Sequence, residues 1–221
     1  MRIASCLILL FTSAATGLRG QDPDRLKFDT EQVRVLEVTS PPHVKGAMHQ
    51  HRVNRVMIYL TEGRQTLTYE DGKVERMSWK AGEAKWSPAG GRHTSENTGD
   101  KPFQVVEVEL KSKPAGFASR VPALDPVKVD PRHYQTEFEN DQVRVLRVRY
   151  GPLERGPMHE HVLQRVVVYL TGQTMKVTTP DGKTEEVHNQ AGDVKMAGAA
   201  KHQEENLDRQ LFEVVVVELK P

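Results

Sequence analysis

The sequence predicts an all-β chain built as two tandem antiparallel barrels of the jelly-roll kind. Three observations predict it. The chain repeats itself at an offset of about 110 residues. Short β-branched runs separated by turn signals fill both copies. No long stretch carries an apolar period of 3.6 that would argue for a helix.

Taken in order, the chain opens with Met1-Arg2, an apolar run from Ile3 to Phe11 and the small residues Ser13 to Gly17. This is the charged, apolar, small-residue order of a secretory signal peptide, so residues 1–20 are expected to be removed, with cleavage after Gly17 or Gly20. The product would be secreted or periplasmic. Cys6 is the single cysteine and leaves with the leader, so the mature chain forms no disulfide and any metal must be held by His, Asp or Glu. Cleavage after Gly17 removes Arg2 alone among the charges, leaving thirty basic and thirty acidic residues. Neutrality, 6% aromatic content and the lack of a basic block argue against nucleic acid as a partner. No other apolar segment reaches spanning length, so no membrane role is expected. A small-molecule ligand or substrate is the expected partner, and a homodimer stays open.

The duplication sets the domains. Gln32-Val-Arg-Val-Leu36 recurs as Gln142-Val-Arg-Val-Leu146, and Val108-Glu-Leu-Lys111 as Val217-Glu-Leu-Lys220. Residues 22–111 and 130–221 therefore read as two copies of one barrel, joined by a Pro-rich linker over 112–129. Val33 to Val38, Arg55 to Leu60 and Val105 to Leu110 are predicted strands. Glu70-Asp-Gly-Lys73 and Pro180-Asp-Gly-Lys183 are predicted tight hairpins, the first read as a type I′ turn. Glu107 and Glu109 alternate with Val106, Val108 and Leu110, which predicts a half-exposed strand rather than a carboxylate pair set up for acid–base work. Trp79 and Trp86 are expected at strand edges. His43, His133 and His188 have no counterpart in the other copy and are expected at the surface.

The remaining histidines carry the chemistry. His49 and His51 sit at i and i+2, which on a strand puts both rings on one face, and His159 and His161 repeat the pattern. A third histidine follows a small-residue turn in each copy, His93 after Ser87-Pro-Ala-Gly-Gly91 and His202 after Met196-Ala-Gly-Ala-Ala200. Three imidazoles leave coordination positions for water or substrate and suit a divalent transition metal, whether Fe, Mn, Ni, Cu or Zn.

These residues resemble the cupin superfamily. Gly46-x2-His49-x-His51 leading to Tyr59 is similar to the first cupin motif, with a shorter glycine-to-histidine spacing. Gly82-x5-Pro88-x-Gly90-x2-His93-x3-Asn97 matches the second motif at every fixed position, while the second copy keeps Gly192, His202 and Asn206. The resemblance implies a bicupin in which His49, His51 and His93, and His159, His161 and His202, fall on the metal-binding positions. The glutamate that the family usually places after the second histidine is missing. Arg55 and Val56, and Arg165 and Val166, stand there instead. Strand alternation from His51 puts Arg55 on the histidine face, whereas counting back from Tyr59 favours the valine.

Arg55 and Arg165 are candidate grips for a substrate carboxylate, and Tyr59 and Tyr169 are candidate walls of the same pocket. Surface or ion-paired arginines and core tyrosines are the plain alternatives. The intact Pro88-Gly90-Gly91 turn ranks the first copy above the second as a metal site. Two functions fit. One is a metal-dependent oxygenase, hydrolase or isomerase acting on a small polar organic molecule. The other is a non-catalytic bicupin that binds a small molecule or serves a structural role, favoured by the lack of an obvious general base.

Overall fold

The structure is a computed structural model that describes residues 25–111 and 122–221, so the leader reading and the start of the linker lie outside the described residues. In the first copy, β1 (Arg25–Asp29), β2 (Val33–Ser40), β8 (Phe103–Leu110), β3 (Arg55–Tyr59) and β6 (Ala84–Ser87) pair in that order into one sheet. Facing it, β5 (Val74–Trp79), β4 (Gly63–Tyr69) and β7 (His93–Asn97) form a second sheet.

The other copy repeats this as β9 (Tyr134–Glu139), β10 (Val143–Tyr150), β17 (Phe212–Leu219), β12 (Arg165–Tyr169) and β15 (Val194–Ala197). Its second sheet is β14 (Thr184–Asn189), β13 (Gln173–Thr178), β16 (Ala200–Asn206) and β11 (His159–His161). All strand pairs are antiparallel, and the two copies are jelly-roll barrels as the sequence predicts.

The largest apolar cluster lies between the barrels rather than inside either. Val33, Val35, Val56, Ile58, Val106, Val108 and Leu110 of the first pack with Val143, Val145, Val166, Val168, Val215, Val217 and Leu219 of the second. Each five-stranded sheet thus buries both faces, one inside its own barrel and one against its partner. Removing this much valine and leucine surface from water is the main force joining the barrels. Polar contacts fix the orientation: Asn54 Nδ2 donates to Gln142 Oε1 at 2.6 Å, and Arg147 Nη2 to the Gly82 carbonyl at 2.6 Å.

This arrangement corrects the reading of β8. Val106, Val108 and Leu110 face the second barrel, so Glu107 and Glu109 do not face solvent. They point into the first barrel on the same face as the buried Phe103 and Val105, with side-chain exposures of 12% and 16%. Alternation marked the two faces correctly, but the polar face is an interior.

The 70–73 hairpin is also corrected. The Gly72 amide donates to the Tyr69 carbonyl at 3.0 Å, and Gly72 is the residue with positive φ, +87°, while Asp71 is not. That describes a type I turn followed by a left-handed glycine, not a type I′ turn. Gly182, at φ +82°, repeats it.

Within the linker, Pro126–Val129 forms one helical turn, α1, capped by the Asp125 carboxylate, which accepts from Val127 N at 3.1 Å. Arg144 binds the same carboxylate at 2.7 Å and anchors the turn on the second barrel. Trp79 stacks on Tyr59 in the core of the first barrel, and Trp86 packs against the inter-barrel cluster. His133 is not at the surface. It is buried, stacked on Tyr150 with ring centroids 4.0 Å apart, and its Nδ1 lies 2.7 Å from Asp130 Oδ1. No helix among the described residues is long and apolar enough to cross a membrane.

Two candidate metal centres

Both triads assemble. In the first barrel the ring centroids of His49 and His93 are 4.6 Å apart, those of His49 and His51 4.9 Å, and those of His51 and His93 5.6 Å. In the second, the corresponding separations are 4.6 Å for His159 and His202, 5.2 Å for His159 and His161, and 5.7 Å for His161 and His202. Within each triad, donor atoms lie within 4.8 Å of one another.

Strand pairing explains the repeat. His49 forms an antiparallel bridge to His93, and His159 pairs with His202 in the β11–β16 ladder, so the third histidine of each copy stands opposite the first. The asparagine that closes each second motif is a loop brace rather than a ligand. Asn97 Nδ2 donates to the Ser40 and Lys101 carbonyls, both at 2.9 Å, and Asn206 repeats this with Gly151 and Gln210.

The surroundings differ. His49 and His51 are half-buried in the first barrel, whereas His159, His161 and His202 are all buried. Arg55, left open between two faces by the sequence, is on the histidine face. Its Nη1 lies 2.9 Å from His51 Nε2 and donates to Glu107 Oε2 at 2.8 Å, while Nη2 donates to Ser87 Oγ at 2.9 Å. Burial and this guanidinium hold the His51 ring down at about 3, so it stays neutral and accepts from Arg55. A divalent ion on His51 Nε2 would meet a buried guanidinium at the same lone pair, which like-charge repulsion opposes. In this arrangement Arg55 competes for the His51 lone pair that a metal on the first triad would use.

In the second barrel Arg165 Nη1 donates to the Gly198 carbonyl instead of approaching a ring nitrogen within hydrogen-bond distance, though its charge still helps lower His161 and His202. The register shows why. Arg55 stands opposite Ser87 and Met57 opposite Glu107, whereas Arg165 stands opposite Ala197 and Val167 opposite Val216. Both side chains that hold Arg55 over its histidine are apolar in the second copy.

The outer ring nitrogens of the second triad are tied back. His159 Nδ1 faces the Pro157 carbonyl at 3.2 Å, and His161 Nδ1 faces Glu218 Oε1 at 2.8 Å, with Glu218 itself held by Arg144 Nε at 2.6 Å. Because a carbonyl or carboxylate can only accept, these Nδ1 atoms carry the protons and leave Nε2 as a lone pair. His202 Nε2 is buried with no hydrogen-bond partner. Burial pushes the His202 ring down to about 4 and lowers His161 as well, keeping both neutral and able to ligate. An unpartnered buried ring nitrogen beside inward lone pairs fits a cation, whereas the turn sequences favour the first copy.

The structure adds two residues that the motifs did not mark. Glu204 lies two residues beyond His202 on β16, with Oε1 3.6 Å from His202 Nε2. Tyr134 Oη donates to Glu204 Oε2 at 2.6 Å and lies 3.1 Å from His159 Nε2. Burial raises the Tyr134 hydroxyl well above its ordinary range, so it keeps its proton. For Glu204 burial works against ionisation, but the surrounding histidines and Tyr134 outweigh it and hold the carboxyl low. The i, i+2 spacing of His202 and Glu204 on a strand was the available signal for Glu204; nothing local marks Tyr134. Of the candidate pocket walls, Tyr59 is a buried core residue stacked on Trp79 at 4.1 Å, and Tyr169 packs against the apolar cluster of the second barrel.

Comparison with known proteins agrees with the fold. Residues 36–109 match the cupin domain family. No curated protein matches the sequence. Among solved structures, AerE from Microcystis aeruginosa is 11% identical and aligns over 90% of this chain and 97% of its own with a TM-score of 0.60. An oxalate decarboxylase from Bacillus subtilis, a protein with Mn(II) centres, is 12% identical over 90% of this chain and 75% of its own, also at 0.60. A cupin 2 conserved barrel domain protein from Leptotrichia buccalis is 10% identical over 89% and 88%, at 0.53. The family match lies within the first copy, and the duplication together with the fold likeness gives the described residues two barrels of the cupin fold.

Proposed function

We propose that this bicupin is a metal-dependent enzyme whose one working centre is the second barrel, with His159, His161 and His202 holding a divalent transition metal. The observation that carries this is the unpartnered, buried His202 Nε2 facing two further imidazoles whose outer nitrogens are already tied. Bound there, the metal would supply Lewis acidity or activate oxygen or water.

The chain's own groups define the rest of the site. Arg165 is a buried cation that hydrogen-bonds the Gly198 carbonyl, with Glu204 and Glu218 near enough to act on its charge, and it could also grip the carboxylate of a small polar substrate. Tyr134 holds a proton beside the triad, and Glu218 orients His161. A small carboxylic acid is the substrate class this set fits, and oxygenase, hydrolase and isomerase chemistries all use such a centre. The leader places the enzyme outside the cytoplasm.

A second reading has its own observation. The Arg55–Glu107–Ser87 arrangement over His51 makes the first barrel a non-catalytic partner that supports the second. Metal analysis of tag-free protein purified without chelators tests both readings. One metal per chain, with metal-dependent consumption of a small carboxylic acid or of oxygen, is expected. No metal after reconstitution with Fe, Mn, Ni, Cu and Zn salts would leave only a ligand-binding bicupin. N-terminal mass analysis of the native protein should find Leu18 or Gln21 first, and an intact Met1 would remove the secretion reading.

A further inference from the structure

The family's carboxylate position is empty of carboxylate in both barrels, where the arginines and valines stand. In the second barrel a carboxylate reaches the triad from another strand. β16 carries His202 and Glu204 on one face, and the same face of β7 in the first barrel carries His93 and Ser95. The pairings of Glu204 with Val177 and of Ser95 with Leu67 show the two positions to be equivalent. Glu204 is thus a feature of the second barrel alone.

Its two oxygens are divided. Oε2 accepts the Tyr134 proton at 2.6 Å, and Oε1 is left on the side of the ring nitrogens, 3.6 Å from His202 Nε2. Tyr134 has one proton, and giving it to Glu204 leaves the Tyr134 oxygen against the His159 Nε2 lone pair at 3.1 Å. The His159 Nε2 lone pair and the free Glu204 oxygen are then acceptors beside His202 Nε2, which has no hydrogen-bond partner. A cation satisfies such a set. Two donors about 2.1 Å from a shared ion, at tetrahedral to right angles, lie about 3.0–3.4 Å apart. Glu204 Oε1 is 3.6 Å from His202 Nε2 but outside the 4.8 Å set formed by the three histidines, so the side chain must swing toward His159 and His161 to share their ion.

We propose that Glu204 is the anionic metal ligand of the second barrel, supplied from the strand after the third histidine in place of the usual motif position, with Tyr134 as its positioning residue. This rests on the metal reading of the same triad. A mononegative ligand set then distinguishes the second barrel from a neutral three-histidine site and favours retention of a divalent ion.

The test is titration of metal-free full-length protein with Co(II), read by visible absorption, and with Mn(II), read by electron paramagnetic resonance. Thermal unfolding of each metal-free variant checks that it folds. Wild type should bind one ion, and His202→Ala should lose it. Glu204→Gln should bind at least about 10-fold more weakly, with a changed Co(II) spectrum. Glu204→Asp, which keeps the charge and is the fallback if the glutamine variant does not fold, should fall between. Tyr134→Phe should keep a bound ion with a smaller loss.

If Glu204→Gln or Glu204→Asp matched wild type in affinity and spectrum while His202→Ala lost the ion, Glu204 would be no ligand and the metal reading would stand. If wild type itself bound neither ion, both would fall together.

Discussion

The two barrels carry the same histidine triad to within a few tenths of an ångström between ring centroids, yet in the first an arginine occupies one ring nitrogen and in the second none does. The difference lies in neighbours. Three positions set it: Glu107 against Val216 and Ser87 against Ala197, which hold or release the arginine, and Ser95 against Glu204, which adds a carboxylate. The comparison teaches that ligand spacing defines where a metal could sit, while the charge around it decides whether one does.

Breaking the pair apart should have the largest effect. The shared valine cluster covers one whole face of each main sheet, so residues 22–111 or 130–221 expressed alone should unfold or self-associate. Light scattering and urea denaturation check this, and a stable monomer with the full chain's midpoint would refute mutual support. Within the intact chain, Ile58→Ala at the same interface should cost about 2–5 kcal/mol in urea unfolding.

Next in size is the loss of metal. His161→Ala and His202→Ala each remove a ligand and should abolish bound metal in elemental analysis, whereas His51→Ala and His93→Ala should leave the stoichiometry at wild type. Equal losses from both sets would show that the barrels share the work.

How much of this was legible in the sequence divides along the same line. The duplication, the strands and all six histidines could be read because each rests on local spacing. The facing of Glu107 and Glu109 could not, because alternation separates two faces without saying that the polar one looks into a barrel and the apolar one onto a second barrel. The role of Arg55 depended on Glu107 across the β3–β8 ladder, a partner 52 residues away. His133 read as a surface residue because its Asp130, Glu154 and Tyr150 neighbours come together only in the fold. Glu204 was within reach through its i, i+2 relation to His202, but Gln203-Glu204-Glu205 reads as an ordinary polar strand.

A gain of binding would sharpen the comparison further. Arg55→Gln removes the guanidinium from His51 Nε2 and frees Glu107, which already lies with Glu109 in a group of possible donors around His51. Metal at saturation should rise from one to two ions per chain by elemental analysis. If it stayed at one, the shallower burial of His49 and His51 rather than Arg55 would be what disables the first site.

The smallest expected effect is on acid stability, and it concerns both barrels. Unfolded histidines take up a proton near pH ~6.5. In the folded chain burial, and in the first barrel Arg55, hold His51 down at about 3, and burial holds His202 at about 4 and lowers His161. Between these limits the unfolded chain binds more protons than the folded one, so stability rises with pH. The stability that these neutral rings contribute is complete above about pH 6.5 and is lost as the pH falls toward 4. Glu204 and Glu218, held below the ordinary carboxylate range by their histidine, tyrosine and arginine neighbours against the opposing effect of burial, add a further loss in stronger acid. Urea midpoints of metal-free protein should therefore decline steadily from pH 7 to pH 4.5. His51→Gln and His202→Gln should each flatten part of that slope. A slope unchanged by either would mean that the rings are already charged in the fold, and the neutral ligand set argued for the second barrel would go with it.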